Sequence, residues 1–170
     1  MSEPGPLLDV RERLTTADHQ THRRYVFRVP RDCSRLRISL EYTPKFLPPD
    51  ASARLIADAQ RLQAASLASR LGQRLAERWS ADIGAIPPDA RVPNLLTISL
   101  DDATGAYRGA GHRHAARQDL DMRIDLASPG LVAGPLPAGE WILTLTAHTL
   151  VSPHCDVSIQ IGAETASSRP

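Results

Sequence analysis

Residues 94–114 read NLLTISLDDATGAYRGAGHRH, and this stretch passes from an apolar strand into a polar, glycine-rich loop. Leu96, Ile98 and Leu100 alternate with other residues, which is the period-two pattern of a strand with one buried face. Loops at strand ends are where rigid scaffolds present functional groups. This loop contains no complete residue set for a catalytic mechanism, so the sequence predicts a binding or accessory module that is not an enzyme on its own.

Further segments show the same alternation and predict a mostly β fold. They are residues 22–29, 36–42, 120–126, 141–147 and 157–161. Turn sequences rich in proline, glycine and serine separate them, for example at 127–130 and 134–139. Short strands with one polar face each are typical of an antiparallel β-sandwich or a jelly-roll-like sheet pair. We expect the strands at 22–29 and 36–42 to be neighbours.

A change of composition predicts a helical insertion at about 51–80. Alanine, leucine, glutamine and arginine dominate there, Leu55, Ala59 and Leu62 recur at helical spacing, and Gly72 can divide the helix. The apolar stripe either packs over a sheet or meets a partner helix or dimer edge. The predicted organisation is an N-terminal segment (1–20), a single β-sandwich domain (21–162) and a frayed tail (163–170).

Charge and composition argue against nucleic-acid and membrane partners. The chain has 170 residues with a formal net charge of +1, and seven aromatic residues offer few stacking platforms for bases. Six arginines lie between Arg23 and Arg37, but a strand that carries Asp119, Asp121 and Asp125 can offset them across a sheet.

Features of the two ends and of the cysteines predict a cytoplasmic location. Residues 1–11 lack the pattern of a secretory signal, no segment is apolar and long enough to span a bilayer, and we expect Met1 to be a natural amino end. Cys33 and Cys155 should then stay reduced and packed, because their wide separation fits no usual zinc or redox spacing.

The loop after residue 100 holds the candidate site residues. His112 and His114 could bind one metal ion with Asp101 or Asp102, but the surrounding glycines argue against the rigid positioning that a metal needs. Anion recognition by Arg108, Arg113 and the two histidines is a second possibility, and an ordinary solvated loop is a third. We expect no metal or other cofactor on this chain.

A structural role for the same loop is the favoured interpretation. Asp102 can bond its own backbone in a turn where Gly105 takes a positive φ. Tyr107 and Arg108 can fold back on the sheet edge, since arginine both stacks on aromatic rings and reaches carboxylates. The chain contains no Gly-x-Ser-x-Gly, Gly-x-Gly-x-x-Gly or Walker pattern, so hydrolase elbows and nucleotide cradles are not predicted.

Several segments together resemble the amino-terminal β domain of the carbaryl-hydrolase-like (CehA/McbA) metallohydrolases, which belong to the polymerase-and-histidinol-phosphatase (PHP) class. The matching pieces lie within residues 20–162 and read YVFRVP (25–30), LRISLEYTP (36–44), NLLTISL (94–100), GAYRG (105–109), SPG (128–130) and GPLPAGEW (134–141). Ala103 departs from the Asp-Pro dipeptide expected in that turn. The resemblance implies a β-sandwich that precedes a separate, metal-holding catalytic domain, and no catalytic residue of that domain is carried by this chain.

The leading hypothesis is therefore a non-catalytic accessory or interaction module that acts through protein contacts. The partner is either a second copy of the chain in a homodimer or a separate PHP hydrolase domain, which would also hold any metal. One alternative is an independent module for a small carbohydrate or anion, with a binding patch near Asp102, Tyr107, Arg108, His112 and His114. The other alternative is a small metal-dependent hydrolase that uses His112 and His114.

Overall fold

The computed structural model describes residues 5–82, 86–87, 89–111 and 115–165. The chain divides into a sandwich unit, formed by residues 1–45 and 94–170, and a helical unit, formed by residues 46–93. The strands are β1 (Leu8–Thr15), β2 (Thr21–Val29), β3 (Cys33–Thr43), β4 (Leu95–Asp101), β5 (Tyr107–Ala110), β6 (Arg117–Arg123), β7 (Gly139–Thr149) and β8 (His154–Thr165). The helices are α1 (Pro49–Leu71) and α2 (Gln73–Asp82), and a short 3₁₀ turn spans Thr16–Asp18.

The eight strands form two four-stranded antiparallel sheets with the topology of a jelly roll. One sheet has the order β1-β8-β3-β6 and the other has the order β2-β7-β4-β5. The first strand pairs with the eighth, the second with the seventh, the third with the sixth and the fourth with the fifth. The chain is therefore one long hairpin rolled into a sandwich, which confirms the predicted fold class.

The core lies between the two sheets and consists of the apolar positions of the alternating segments. Leu36, Ile38 and Leu40 of β3 and Leu96, Ile98 and Leu100 of β4 are all at most 1% exposed. Trp141 is the largest fully buried side chain, and its indole nitrogen donates to the carbonyl of Pro137 at 2.8 Å. The pattern thus identified the inward faces of the strands correctly.

The prediction that the strands at 22–29 and 36–42 are neighbours is wrong. They became β2 and β3, which belong to different sheets. The connection through Pro30 and Asp32 lacks a two-residue hairpin sequence such as Asn-Gly, and it leads the chain from one sheet to the other. In this topology the crossing is required, because β2 pairs with β7 in one sheet and β3 pairs with β6 and β8 in the other.

The sandwich extends past both predicted boundaries. The segment expected to precede the domain contains β1, which pairs along its whole length with β8. β8 in turn continues to Thr165, within the segment expected to be a frayed tail. Conversely, β6 ends at Arg123, so Ile124 and Leu126 are not inward-facing strand residues but are 67% and 60% exposed.

The predicted offset of basic and acidic strands is present on the first sheet. β3 pairs with β6, and Arg35 donates through Nε to Asp121 Oδ2 at 2.6 Å. This ion pair holds the pKa of the Asp121 carboxyl below its usual value, with Arg35 as the largest cause. Arg37 of β3 pairs in turn with Glu164, so both arginines of β3 have acidic partners. Arg24, Arg28 and Arg31 of the same stretch form no ion pair with a described residue, so the predicted offset holds for β3 and not for the whole arginine-rich stretch.

The two cysteines are free and lie too far apart to be joined. Cys33 is at the start of β3, opposite Thr165, whereas Cys155 is near the start of β8, opposite Leu14. The paired strands place them at opposite ends of a ladder about 30 Å long, and a disulfide needs Cα atoms within about 7 Å.

The helical unit confirms the insertion at 51–80 and its division at Gly72. α1 ends at Leu71, and Gly72 has a φ of 80° that ordinary residues rarely adopt. Ser52 is buried and its hydroxyl accepts from the Val92 amide at 3.1 Å, which ties the start of α1 to the end of the unit. Leu62 and Leu75 are 72% and 55% exposed, so residues of this unit do not cover the apolar stripe. No described helix is both long enough and apolar enough to cross a bilayer.

Candidate functional site

The turn between β4 and β5 is organised by the carboxylate of Asp102. Oδ1 of Asp102 accepts from the Thr104 amide at 2.8 Å, the Thr104 hydroxyl at 2.6 Å and the Ala106 amide at 3.1 Å. The backbone closes the turn through bonds from the Gly105 amide to the Asp102 carbonyl and from the Asp102 amide to the Ala106 carbonyl, both 2.9 Å long. Gly105 has a φ of 83°, as the sequence predicted for this position.

Arg108 connects this turn to a distant loop. Its guanidinium donates to Asp102 Oδ2 at 3.2 Å, to the Pro135 carbonyl at 2.7 Å, to the Val132 carbonyl at 3.1 Å and to the Gly134 carbonyl at 3.4 Å. It also lies over the ring of Trp141, with 5.3 Å between its central carbon and the ring centroid. Arg108 is only 6% exposed, so these contacts are largely shielded from water.

The electrostatics of this pair favour the ionised form of the Asp102 carboxylate. Burial alone raises the pKa of Asp102, but the hydrogen bonds from Thr104, from the Ala106 amide and from Arg108 outweigh it, so the pKa lies below its usual value. Both oxygens of Asp102 and both terminal nitrogens of Arg108 already have partners inside the protein. The pair is thus well suited to anchor loops and poorly suited to act as a general base or to bind a ligand.

The loop that Arg108 holds forms a strap along one side of the sandwich, which we define as residues 126–134. Two backbone hydrogen bonds join the strap to β5. The Ala110 amide donates to the Gly130 carbonyl and the Val132 amide donates to the Arg108 carbonyl, both at 2.9 Å. The strap also bonds to the β6 strand, where the Ser128 amide donates to the Asp121 carbonyl at 2.8 Å and the Gly134 amide donates to the Arg123 carbonyl at 3.2 Å. The strap therefore covers the outer edges of both sheets on this side.

Gly109 permits the close approach of the strap to β5. A Cβ atom at this position would lie 2.2 Å from the Gly130 carbonyl oxygen and 2.8 Å from the Leu131 Cα atom, and the φ of Gly109 is +100°. A residue with a Cβ atom could therefore occupy position 109 only if the backbone moved. Gly109 is one of the glycines that were expected to leave this loop without rigid positioning, yet it lies in a tightly packed junction.

Four apolar side chains project from the strap and its neighbours into solvent. Tyr107, Ile124, Leu126 and Val132 are 61%, 67%, 60% and 53% exposed, and we call them the strap patch. Backbone bonds link their positions, because the Val132 amide bonds to Arg108 beside Tyr107 and the Gly134 amide bonds to Arg123 beside Ile124. Sequence reasoning missed Ile124 and Leu126, since their alternation with Asp125 continues the pattern of β6 past its end.

The predicted site residues thus fall into three groups. Asp102 and Arg108 come together and are buried, Tyr107 is exposed at the start of β5, and His112 and His114 lie outside the described residues. Within the described ranges, no three histidine, cysteine, aspartate or glutamate side chains are grouped closely enough to hold a metal ion.

A second polar cluster, which the sequence analysis did not identify, closes the opposite side of the sandwich. Glu12 of β1 accepts from Arg23 and from the Tyr25 hydroxyl of β2, both at 2.5 Å, and Arg23 also donates to Asp18 at 2.6 Å. Two causes raise the pKa of Tyr25: burial is the larger one, and the hydrogen bond to Glu12 is the next. The sequence feature that indicates this cluster is Glu12, a charged residue at an inward position between Val10 and Leu14. A charged side chain at such a position needs a partner inside the fold.

Comparisons with known proteins do not assign the chain to a family. No protein-family model and no curated protein matches it. A crystal structure of a protein from Sulfurospirillum deleyianum is similar over 94% of this chain and 99% of that chain, with 12% identity and a TM-score of 0.36.

Proposed function

We propose that this protein is a non-catalytic interaction module that acts through protein contacts made by the strap patch. The observation that carries the proposal is the exposure of four large apolar side chains, two on the strap that Arg108 holds and two on the strand ends to which the strap is hydrogen-bonded. Soluble proteins rarely leave clustered apolar side chains exposed unless a partner covers them. A fixed segment also loses little conformational entropy on binding, which favours contact formation.

The charge inside the strap patch indicates what its partner should carry. Asp125 is exposed between Ile124 and Leu126 and has no ion-pair partner among the described residues. An apolar surface with a basic group would complement it, and a separate hydrolase domain, as the resemblance to the CehA/McbA proteins implies, is the partner we favour. A homodimer through the same patch would bring two Asp125 side chains together, so it is the second choice.

Sedimentation velocity tests this proposal directly. The chain is measured alone and then mixed with the catalytic domain of a CehA/McbA-type hydrolase. We expect a complex in the mixture, or a dimer of the chain alone, at micromolar concentration. A monomer in both experiments contradicts the proposal.

The two alternatives from the sequence lack comparable support. The polar atoms of Asp102 and Arg108 are occupied by each other and by the loops, so they offer little to a small carbohydrate or anion. A metal-dependent hydrolase would have to use His112 and His114, and metal analysis of protein purified without an affinity tag tests it. Stoichiometric zinc, manganese or iron would favour that enzyme over the interaction module.

A further inference from the structure

The strand β2 is the outermost strand of its sheet, on the side of the sandwich opposite the strap. It pairs with β7 on one side, and no other described strand pairs with it. Its inward side chains are those of Tyr25, Phe27 and Val29, whereas Arg24, Val26 and Arg28 point outward and are exposed. An open edge of this kind offers unpaired backbone groups to an incoming strand.

The outward arginines of β2 differ from those of the other sheet. There, every outward arginine of β1, β3 and β6 forms an ion pair with an aspartate or glutamate; these are Arg11, Arg13, Arg35, Arg37, Arg117 and Arg123. The side chains of Arg24 and Arg28 form no ion pair and no hydrogen bond with any described residue, and the Glu140 carboxylate does not pair with Arg28 although the two residues lie opposite each other in the ladder. The edge of β2 therefore carries positive charge that the described part of the fold does not neutralise.

A groove continues this basic edge at the end of β2. It has a volume of about 460 Å³ and is lined by Leu7, residues 28–31, Ala138 and Gly139. Arg31 is exposed there and, like Arg28, forms no ion pair with a described residue. Three unneutralised arginines thus follow one edge, with the apolar side chain of Val26 between the first two.

We propose that the edge of β2 binds an extended acidic segment of another protein by strand addition. The backbone of the segment would extend the sheet beside β2, and its side chains would alternate between the two faces. On the outer face, acidic residues would lie opposite Arg24 and Arg28, and an apolar residue would lie opposite Val26. The recognised pattern is therefore acidic-x-apolar-x-acidic, with a further acidic residue or the carboxyl terminus of the segment at the end that reaches Arg31.

Other occupants of this edge fit less well. A second copy that paired antiparallel about Val26 would place Arg24 opposite Arg28 of that copy, and like charges directly opposite each other destabilise a strand pair. A single-stranded nucleic acid would need large aromatic stacking platforms, and the exposed side chains of β2 include no phenylalanine, tyrosine or tryptophan. This inference concerns a different surface from the strap patch and does not depend on the proposed function.

Fluorescence anisotropy with labelled twelve-residue peptides tests the proposal on the full-length chain. The first peptide alternates glutamate and valine with a polar residue between them, the second has the same composition in scrambled order, and the third carries a central proline that prevents strand pairing. We expect binding of the first peptide, and at least about tenfold weaker binding of the other two. A uridine oligonucleotide is included, and tighter binding of this oligonucleotide than of the first peptide contradicts the proposal.

Two variants locate the binding surface. The double variant Arg24→Glu, Arg28→Glu should weaken binding of the first peptide at least about tenfold, since both attractions become repulsions. The control Arg117→Glu changes an exposed arginine on the edge strand of the other sheet and should leave binding unchanged. Hydrogen exchange of the chain should show slower exchange of β2 amides with the first peptide. Equal binding of the scrambled peptide, or no protection of β2, overturns strand addition.

Discussion

At the residue scale, Arg108 and Asp102 determine the conformation of one side of the sandwich. Arg108 donates to acceptors from two separate stretches of chain, at Asp102 and in the loop that contains Val132 and Pro135. Asp102 in turn fixes the conformation of the turn between β4 and β5. A lysine could not reproduce these contacts, because a single ammonium group lacks the planar fork of donors. The buried pair is therefore the part of the chain where single substitutions should have the largest effect on stability.

Replacement of Arg108 should strongly destabilise the fold. In Arg108→Met, Asp102 keeps a buried charge without its partner and three carbonyls lose their donor, so we expect the free energy of unfolding to fall by about 3–5 kcal/mol. For Arg108→Lys, we expect the free energy of unfolding to fall by at least about half as much, because an ammonium group cannot reach all of these acceptors. Urea unfolding measures both. The control Arg117→Lys alters an exposed ion pair and should change stability by less than about 0.5 kcal/mol. A loss below about 1 kcal/mol for Arg108→Met would contradict the anchoring role.

The lowered pKa of Asp102 predicts a specific dependence of stability on pH. The unfolded carboxyl has a pKa of about 3.9, and the folded pKa lies below it, so the ionised group stabilises the fold above about pH 4. That contribution is lost as the pH falls through the folded pKa. Asp102→Asn should lower the urea midpoint at pH 7, and the difference from the natural chain should shrink below about pH 4. Asp125→Asn changes an exposed carboxylate and serves as the control. An equal shift of the urea midpoint in both variants would contradict the stabilising role of the Asp102 carboxylate.

The pairing of Asp102 with Arg108 could be anticipated because both flank one short turn. The three carbonyl acceptors of Arg108 could not, since they depend on the path of a loop that has no periodic pattern. The exposure of Tyr107 was likewise not predictable, because nothing local distinguishes a tyrosine that folds back from one that points outward.

At the element scale, alternation identified the inward faces of the strands but not their partners. β2 and β3 have the same pattern, and it contains no information on which sheet each strand joins. β1 was missed because Glu12 occupies an inward position and interrupts the apolar alternation, and only the structure reveals its partners Arg23 and Tyr25. The helical insertion was recognised because composition and periodicity changed together.

The helical unit should be removable without unfolding of the sandwich. The last residue before it and the first after it are hydrogen-bonded, since the Asn94 amide donates to the Lys45 carbonyl at 2.8 Å, so a short turn can replace residues 46–93. We expect this variant to keep the circular dichroism spectrum of a β protein and to unfold in one cooperative transition. A spectrum of a disordered chain would contradict the division into two units.

Asn94 should be essential in that shortened chain. Its buried side chain donates to the Pro44 carbonyl and the Ser152 hydroxyl and accepts from the Val151 and Ser152 amides. Asn94→Ala in the same shortened chain would leave several buried polar groups without partners, at about 1–3 kcal/mol for each. A much lower urea midpoint is therefore expected, and an unchanged midpoint would show that this network does not support the junction.

At the scale of the whole molecule, the sandwich has two sides with different chemistry. The strap covers both sheet edges on one side and presents an apolar patch, whereas β1 and β2 are edge strands on the other side and β2 carries unneutralised arginines. On each side a polar cluster, one around Arg108 and one around Glu12, holds separate parts of the fold together. This distribution of charge and apolar surface is the physical basis for proposing contacts with other proteins.

Sedimentation velocity of single variants locates the contact surface on the sandwich. Sedimentation velocity compares the complex formed by the natural chain with that formed by Leu126→Asp and by the control Val26→Asp, which changes an equally exposed apolar residue on the opposite side. The account predicts that Leu126→Asp weakens the complex at least about tenfold and that Val26→Asp leaves it intact. An unchanged complex with Leu126→Asp would contradict the claim that the strap patch is the contact surface.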